Sequence, residues 1–559
     1  MNNKLGYQSM PLHLIVDQLS KDSQGVIIDG NTLTISDILN VARKDVSASF
    51  TANKAIIKRI NETFKHMMKD VENGVPVYGC NTGYGAQASV VVTGGTKAEK
   101  LKSAINMSEG IVHTDITVGP EFENDVIRAA MLIRINMLMK GVSGVSLKTL
   151  DKYLQLLNSN YTPIVNQYGG VGASGDLHHN SRVLSVLRQL PGTFVKNKNG
   201  QKIKSSEALS SIGLSPLKLV PKAGLGLVNG DNFSTAVAAL IAYDTASLLL
   251  ISQVLSAMVV EVLKGSDRAF HPLLSHIRPH EGQKEVSSVL RYLLKGSKLA
   301  YQEMSGHKAR NQGVKVQDGY SLRCISQYHG VNFERIKQIL DVITINANSA
   351  SDNPLWVHPD LKLKTNDDWQ WVSGGNFIAM HMVESIDSIR KMLTQIVKLN
   401  DRQLARIVNP HENNGLGANL SSKNAISQCT FKGVQVQAGM LDIYSTLLSM
   451  PVSTMFGVHE EMNQDITSHA LTSGILGLEN LRLARYSVAQ NFVAVAQAVD
   501  LRGGKDLLSP KTRPIYEFLR NKIDFVDKER PLNNDIEVVY ADLVTGKILN
   551  LVLEIFKEI

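Results

Sequence analysis

The sequence predicts a mainly α-helical protein: a central bundle of long helices behind an N-terminal region of mixed α+β character, with a helical appendage at the end. Three observations carry this reading. Long apolar stretches with helical spacing run at about 224–264, 331–350, 376–407, 424–450 and 467–501, too long for strands. The segment 191–223 is rich in Pro, Gly, Lys and Ser and reads as a boundary. After Gly503-Gly504 the pattern is again helical but is broken at Pro510, Pro514 and Pro531. The expected domains are therefore 1–223, 224–502 and 503–559.

Taken in order, Val26 to Ile35 looks like a hairpin with Asp29-Gly30 at its turn. From Ser36 the pattern turns helical, and Val126, Ala129, Ala130, Ile133 and Met137 share one face. A second amphipathic run carries Leu177, Leu184, Leu187 and Leu190, with Asp176 placed to cap its start. The most hydrophobic region, Ala236 to Leu263, is interrupted by Asp244, Gln253 and Glu261. Those residues are costly in lipid, so a pair of buried core helices is expected and no membrane partner. A polar excursion at about 355–375 reads as a loop or small hairpin.

Composition excludes several classes of function. With 43% apolar and 20% charged residues over 559 positions, the chain is an ordinary globular protein. The formal charge of +8 is spread over 59 basic and 51 acidic side chains, without a basic run interleaved with aromatics. Nucleic acid is not an expected partner. The three cysteines, Cys80, Cys324 and Cys429, have no CxxC spacing. Together with an N-terminus lacking a signal-type apolar core, they suggest a cytoplasmic protein.

The most informative stretch is Gly170-Val-Gly-Ala-Ser-Gly-Asp176. Its GxGxxG pattern needs a strand before it, a helix after it and an acidic residue about 20 positions on. The preceding segment holds Pro163 and only a short apolar run, and no Asp or Glu stands between Asp176 and Glu207. A nucleotide is therefore not expected. The chemistry open to Ala173-Ser174-Gly175 is backbone cyclisation. Attack of the Gly175 nitrogen on the Ala173 carbonyl carbon, with loss of two waters, leaves a 4-methylidene-imidazol-5-one. Gly175 has no Cβ to block the approach, Ala173 is small, and Ser174 supplies a leaving hydroxyl. The product is an electrophile that no unmodified side chain provides.

Seven motifs in order resemble the aromatic amino acid ammonia-lyases and related aminomutases. Gly172 to Leu177 is similar to that family's G-A-S-G-D-L, and Tyr78 to Gly85 to its tyrosine loop. The others stand at Leu227–Gly230, Gln317–Arg323, Asn348–Leu355, Gly374–Phe377 and Glu460–Asp465. The resemblance spans about 26–550 and in several stretches is nearer the bacterial phenylalanine enzymes than the histidine ones.

This resemblance implies a fumarase/aspartase-like helical architecture and a homotetramer with active sites shared between subunits. It implies elimination of ammonia from a small aromatic L-amino acid, with no metal. Tyr78 would be the base, its phenolate favoured by nearby helix N-termini, with Tyr320 also catalytic. Arg323 would clamp the substrate carboxylate through its planar fork. Asn229 and Gln317 would support ring and substrate, and Asn353 would bind substrate. Phe377 would pack on the cofactor, while Glu460 and Gln464 would face the amine or aromatic end, although they equally fit a polar helix start. Asn106-Met107 and Val436 would border the substrate ring, favouring phenylalanine- or tyrosine-type substrates over histidine. Histidine ammonia-lyase, aromatic 2,3-aminomutase and a catalytically silent scaffold remain the alternatives. The chain departs from the family pattern at Tyr84, at His178-His179-Asn180 and at Asp231. Adjacent histidines point apart on a helix, so no metal site is read there.

Overall fold

The computed structural model describes residues 6–300 and 317–559. Its centre is one helix, Asn232–Val262, in which every residue except Tyr243 is buried. The expected pair of core helices is thus a single helix of 31 residues. It is long and apolar enough to cross a membrane, but it lies wholly inside the protein. Each of its polar interruptions has at least one partner, although Gln253 Oε1 is left without one among the described residues. Asp244 takes both Arg43 nitrogens at 2.8 and 2.9 Å and Arg485 at 2.9 Å. Gln253 donates to the Val286 carbonyl, and Glu261 accepts from Ser509 N and Thr512 Oγ1.

Around this axis pack Ile325–Ala347, Met380–Val408 and Ala470–Arg502, with Thr430–Leu448 along the outer side of the last two. The C-terminal helices Asn533–Val544 and Lys547–Phe556 close against Ala470–Arg502 and the central helix respectively. Among the described residues, one large core cluster draws on the chain from Tyr7 to Phe556, and a small second one gathers Met67, Val71, Val77, Cys80, Ala104 and Trp356.

The N-terminal region differs from the expected hairpin. Val26–Ile28 pairs in parallel with Ala48–Phe50, and the helix Ile35–Arg43 crosses between them. The cause is local. Residues 31–34 form no strand, and Thr34 and Asp37 form the capping box of the helix expected from Ser36. Asp29-Gly30 still turns the chain, with the Asp29 carboxylate accepting from Asn31 N and Thr32 N. The excursion at 355–375 is the small hairpin of Leu355–Trp356 against Trp371–Val372.

A short strand, Asn166–Tyr168, does precede the glycine-rich loop, and the helix Leu177–Leu187 follows it. That strand runs antiparallel to Val118–Glu121, so no parallel βαβ crossover surrounds the glycines. Asp176 stands at the N-cap position, but its side chain does not cap. Both oxygens instead bind Ser234, accepting from its N at 2.8 Å and its Oγ at 2.7 Å.

Candidate active site

The chain breaks between the helix Ala223–Val228 and the central helix at Asn229-Gly230-Asp231. This break lies against Ala173-Ser174-Gly175. Asn229 Nδ2 donates to the Ser174 carbonyl at 3.1 Å and Gly230 N donates to the same oxygen at 3.3 Å. Asp176 N returns a bond to the Gly230 carbonyl at 2.8 Å. Gly175 has φ +68°, and a Cβ there would strike the Gly230 backbone. Only glycine fits.

Tyr78 comes from the turn after the helix Lys54–Asn73. Asn81 braces that turn, accepting from Val77 N and donating to the Val75 carbonyl. Tyr78 Oη accepts from Gly85 N at 2.9 Å. Burial pushes the phenol above its usual pKa, the Gly85 amide pulls it down, and the nearby Glu460 carboxylate raises it. Within one chain the balance is upward, contrary to the expected lowering by helix N-termini. Tyr84 crosses the Tyr78 ring edge-on and donates its hydroxyl to the Met107 carbonyl at 2.8 Å.

Glu460 does not begin a helix. It sits in a tight turn, with His459 bridged to Gln464 and with Glu460, Glu461 and Met462 all left-handed at φ +50°, +53° and +68°. Its Oε2 accepts from Gln464 Nε2 at 2.7 Å and Asn463 Nδ2 at 3.2 Å. A Cβ on Gly85 would collide with its carboxylate. Asn353 accepts from Gly374 N at 2.8 Å, tying the Asn348–Leu355 motif to the Gly374–Phe377 motif.

These pieces enclose a cavity of about 620 Å³. Eight of the expected site residues line it: Tyr78, Ala173, Ser174, Asn229, Asn353, Phe377, Glu460 and Gln464. Sequence reasoning missed Leu225, Ile111, Thr114, Leu177, Ser373, Ile378, Asn463 and Ile466, which share the wall with Tyr84, Gly85, Ala88 and Gly110. Several stand within a few positions of a motif, which was the only signal available. Gln317, Tyr320, Arg323, Asn106, Met107 and Val436 lie outside this cavity in the single chain. Gln317, Tyr320, Asn106 and Val436 are exposed. Arg323 lies over the Tyr320 ring, 4.5 Å from its centroid.

Residues 33–521 match the family described as aromatic amino acid lyase. The chain belongs to that family. It is 30% identical to a phenylalanine ammonia-lyase of Nostoc punctiforme, over 95% of this chain and 94% of that one. It is 33% identical to a histidine ammonia-lyase of Myxococcus xanthus, over 94% and 97%. Whole-chain identity therefore does not favour the phenylalanine enzymes, as the motif stretches had suggested. The crystal structure of a tyrosine aminomutase from Streptomyces globisporus superposes with a TM-score of 0.86 at 28% identity, covering 95% of this chain and 98% of that one. The protein is an enzyme of the ammonia-lyase class with the helical, fumarase-like fold of its relatives.

The departures from the family pattern now have local explanations. The Tyr84 hydroxyl is spent on Met107. His178 Nδ1 lies 2.6 Å from the Thr114 carbonyl, and His179 Nε2 lies 3.0 Å from the Gln167 carbonyl. Burial lowers the His179 pKa to about 4, so it is a neutral core residue. Among the described residues no group of three His, Cys, Asp or Glu side chains comes together that could hold a metal. Asp231 accepts from Asn346 at 2.9 Å, and burial raises its pKa.

Proposed function

We propose that this lyase eliminates ammonia from an aromatic L-amino acid of the phenylalanine or tyrosine type, giving an arylacrylate, with a methylidene-imidazolone formed from Ala173, Ser174 and Gly175. The observation that carries the reading is the shared cavity. The Tyr78 hydroxyl, the Ala-Ser-Gly loop and Asn229 all line it. The loop suits the group: no Cβ is tolerated at Gly175, and two donors converge on the Ser174 carbonyl oxygen. Once formed, the ring would supply the electrophile that makes the amine a leaving group. Tyr78 Oη takes the β-proton, the Cα–N bond breaks, and the Cα–Cβ double bond forms. Asn229 Oδ1 is buried without a hydrogen-bond partner and is available to a substrate N–H. Leu177, Leu225, Ile111, Ile378 and Phe377 offer an apolar wall that suits a phenyl or phenol ring better than an imidazole.

The reading includes a homo-oligomer in which Gln317, Tyr320, Arg323 and Val436 reach the cavity of another copy, as a tetramer would allow. Its support is an exposed apolar stripe on Thr430–Leu448, where Val436, Met440, Ile443, Tyr444 and Leu447 recur at helical spacing. An Arg323 brought near Tyr78 in this way would supply the positive charge that the phenolate lacks within one chain.

Assays with phenylalanine, tyrosine and histidine, reading cinnamate, coumarate and urocanate by absorbance, test the substrate. Urocanate as the dominant product would overturn it. The likeness to tyrosine aminomutase supports a second reading, retention of the product and return of ammonia to the β-carbon; a β-amino acid among the products would establish it.

A further inference from the structure

We propose that Asn180 is a positioning residue for the cyclisation of Ala173-Ser174-Gly175, acting through its amide pairing with Asn232 on the Asn229-Gly230 turn. This rests on the reading that the chain forms the imidazolone. Asn180 sits on the first turn of Leu177–Leu187, facing the break before the central helix. Its Nδ2 donates to Asn232 Oδ1 at 2.8 Å, and Asn232 Nδ2 donates back to Asn180 Oδ1 at 2.9 Å. The same Asn180 nitrogen reaches the Val228 carbonyl at 3.1 Å and the Gly230 carbonyl at 3.3 Å. Asn232 Nδ2 is further anchored on the Ala130 carbonyl at 3.0 Å. Both amides are buried, with 1% and 0% of their surface exposed. Water therefore cannot substitute for a missing partner.

The chemistry explains why that turn must not drift. Addition of Gly175 N–H across the Ala173 carbonyl gives a hemiaminal. Its hydroxyl leaves with the Ser174 amide proton as the first water, forming the C=N bond. The second water takes the Ser174 Cα proton and the Ser174 hydroxyl, leaving the exocyclic methylidene. No oxidant is needed. As the Cα proton leaves, negative charge develops on the Ser174 carbonyl oxygen. That oxygen is where Asn229 Nδ2 and Gly230 N converge, so the pair forms an oxyanion hole for the dehydration. Gly230 is held at its carbonyl, one peptide unit on, by Asp176 N and Asn180 Nδ2. A side chain that cannot donate at position 180 takes one donor from that carbonyl and leaves Asn232 without its reciprocal partner.

The test is intact mass with time after purification of Asn180→Leu and Asn232→Asp, each compared with wild type by thermal melting. Wild type is expected two waters light. The variants are expected to melt cooperatively yet to complete both losses at least about tenfold more slowly, since removal of an oxyanion donor costs about 10²–10³. They should accumulate protein at full mass or one water light. Asn180→Gln, which keeps a donor and an acceptor, should recover part of the rate. Equal rates in folded variants and wild type would overturn the proposal. So would failure of both variants to fold, which would make the pair a stability element. A wild-type chain at full mass would instead refute the underlying cofactor reading.

Discussion

Gly175 and Gly230 meet backbone to backbone as an isolated parallel bridge between the Ala173-Ser174-Gly175 loop and the central helix's entry turn. Neither has room for a side chain. A Cβ on Gly175 would strike the Gly230 carbonyl, and one on Gly230 would strike Arg134 Nη1. Close approach of these two strands of chain is what brings donors to the Ser174 oxygen.

Gly230→Ala is therefore expected to separate the loop from the turn. The variant should remain helical by circular dichroism, but its intact mass should lose the two-water deficit. A fully dehydrated Gly230→Ala protein would show that the bridge is not needed for cyclisation.

Tyr78→Phe removes one hydroxyl and leaves Gly85 N without its acceptor. Folding and dehydration should persist, while turnover falls by about 10²–10⁴, the usual loss for a positioned base. Near-normal turnover would take the proton-transfer role away from Tyr78.

Tyr84→Phe tests the link to Lys97–Gly110 at Met107. Losing a single hydrogen bond costs about 1 kcal/mol. The melting temperature should drop slightly and KM rise several-fold with kcat nearly unchanged. A fall in kcat matching that of Tyr78→Phe would place Tyr84 in the chemistry itself.

The proposed sharing of sites between copies predicts complementation. Tyr78→Phe and Arg323→Ala chains, each nearly inactive alone, should regain activity when co-expressed, because some cavities would then combine an intact Tyr78 with an intact Arg323. No recovery in mixed oligomers of confirmed composition would confine each site to one chain.

Glu261 gives a pH dependence. Burial lifts its pKa from 4.5 to about 7, against the opposing bonds from Thr512 and Ser509. The fold binds this proton more tightly than the unfolded chain does. That contribution is fully present below about pH 4.5 and is lost as pH rises through 7, amounting to about 3 kcal/mol. Denaturation of Glu261→Gln between pH 5 and 8 should show a flatter profile than wild type. Identical profiles would assign the dependence to another group.

How much was legible in the sequence follows from the range of the interactions involved. The long helices are written in local periodicity, so their positions needed no tertiary knowledge. The glycine-rich loop and the Tyr78 turn stand out because each sets unusual residues in a row, and the structure brings both to one cavity. The helix expected from Ser36 stands at Ile35–Arg43, but the hairpin before it fails because the partner of Val26–Ile28 stands some twenty residues on, beyond that helix, where no local turn signal points. Asp176 was misassigned because its partner Ser234 is remote in sequence. Leu225 and Thr114 enter the cavity through packing alone, which no spacing rule encodes.

The central helix also has a consequence for synthesis. Asn232–Val262 leaves the ribosome roughly 200 residues before Ala470–Arg502, the helix that supplies Arg485 to Asp244 and covers one of its flanks. At about 5–20 residues per second that interval is on the order of 10–40 s. For that time one flank of a segment long and apolar enough to cross a membrane waits for its cover. Asp244, Gln253 and Glu261 are the residues in it that would cost most in lipid. Replacing Asp244 by leucine would remove one of them along with its two ion pairs, so the damage would begin on the ribosome rather than in the finished enzyme.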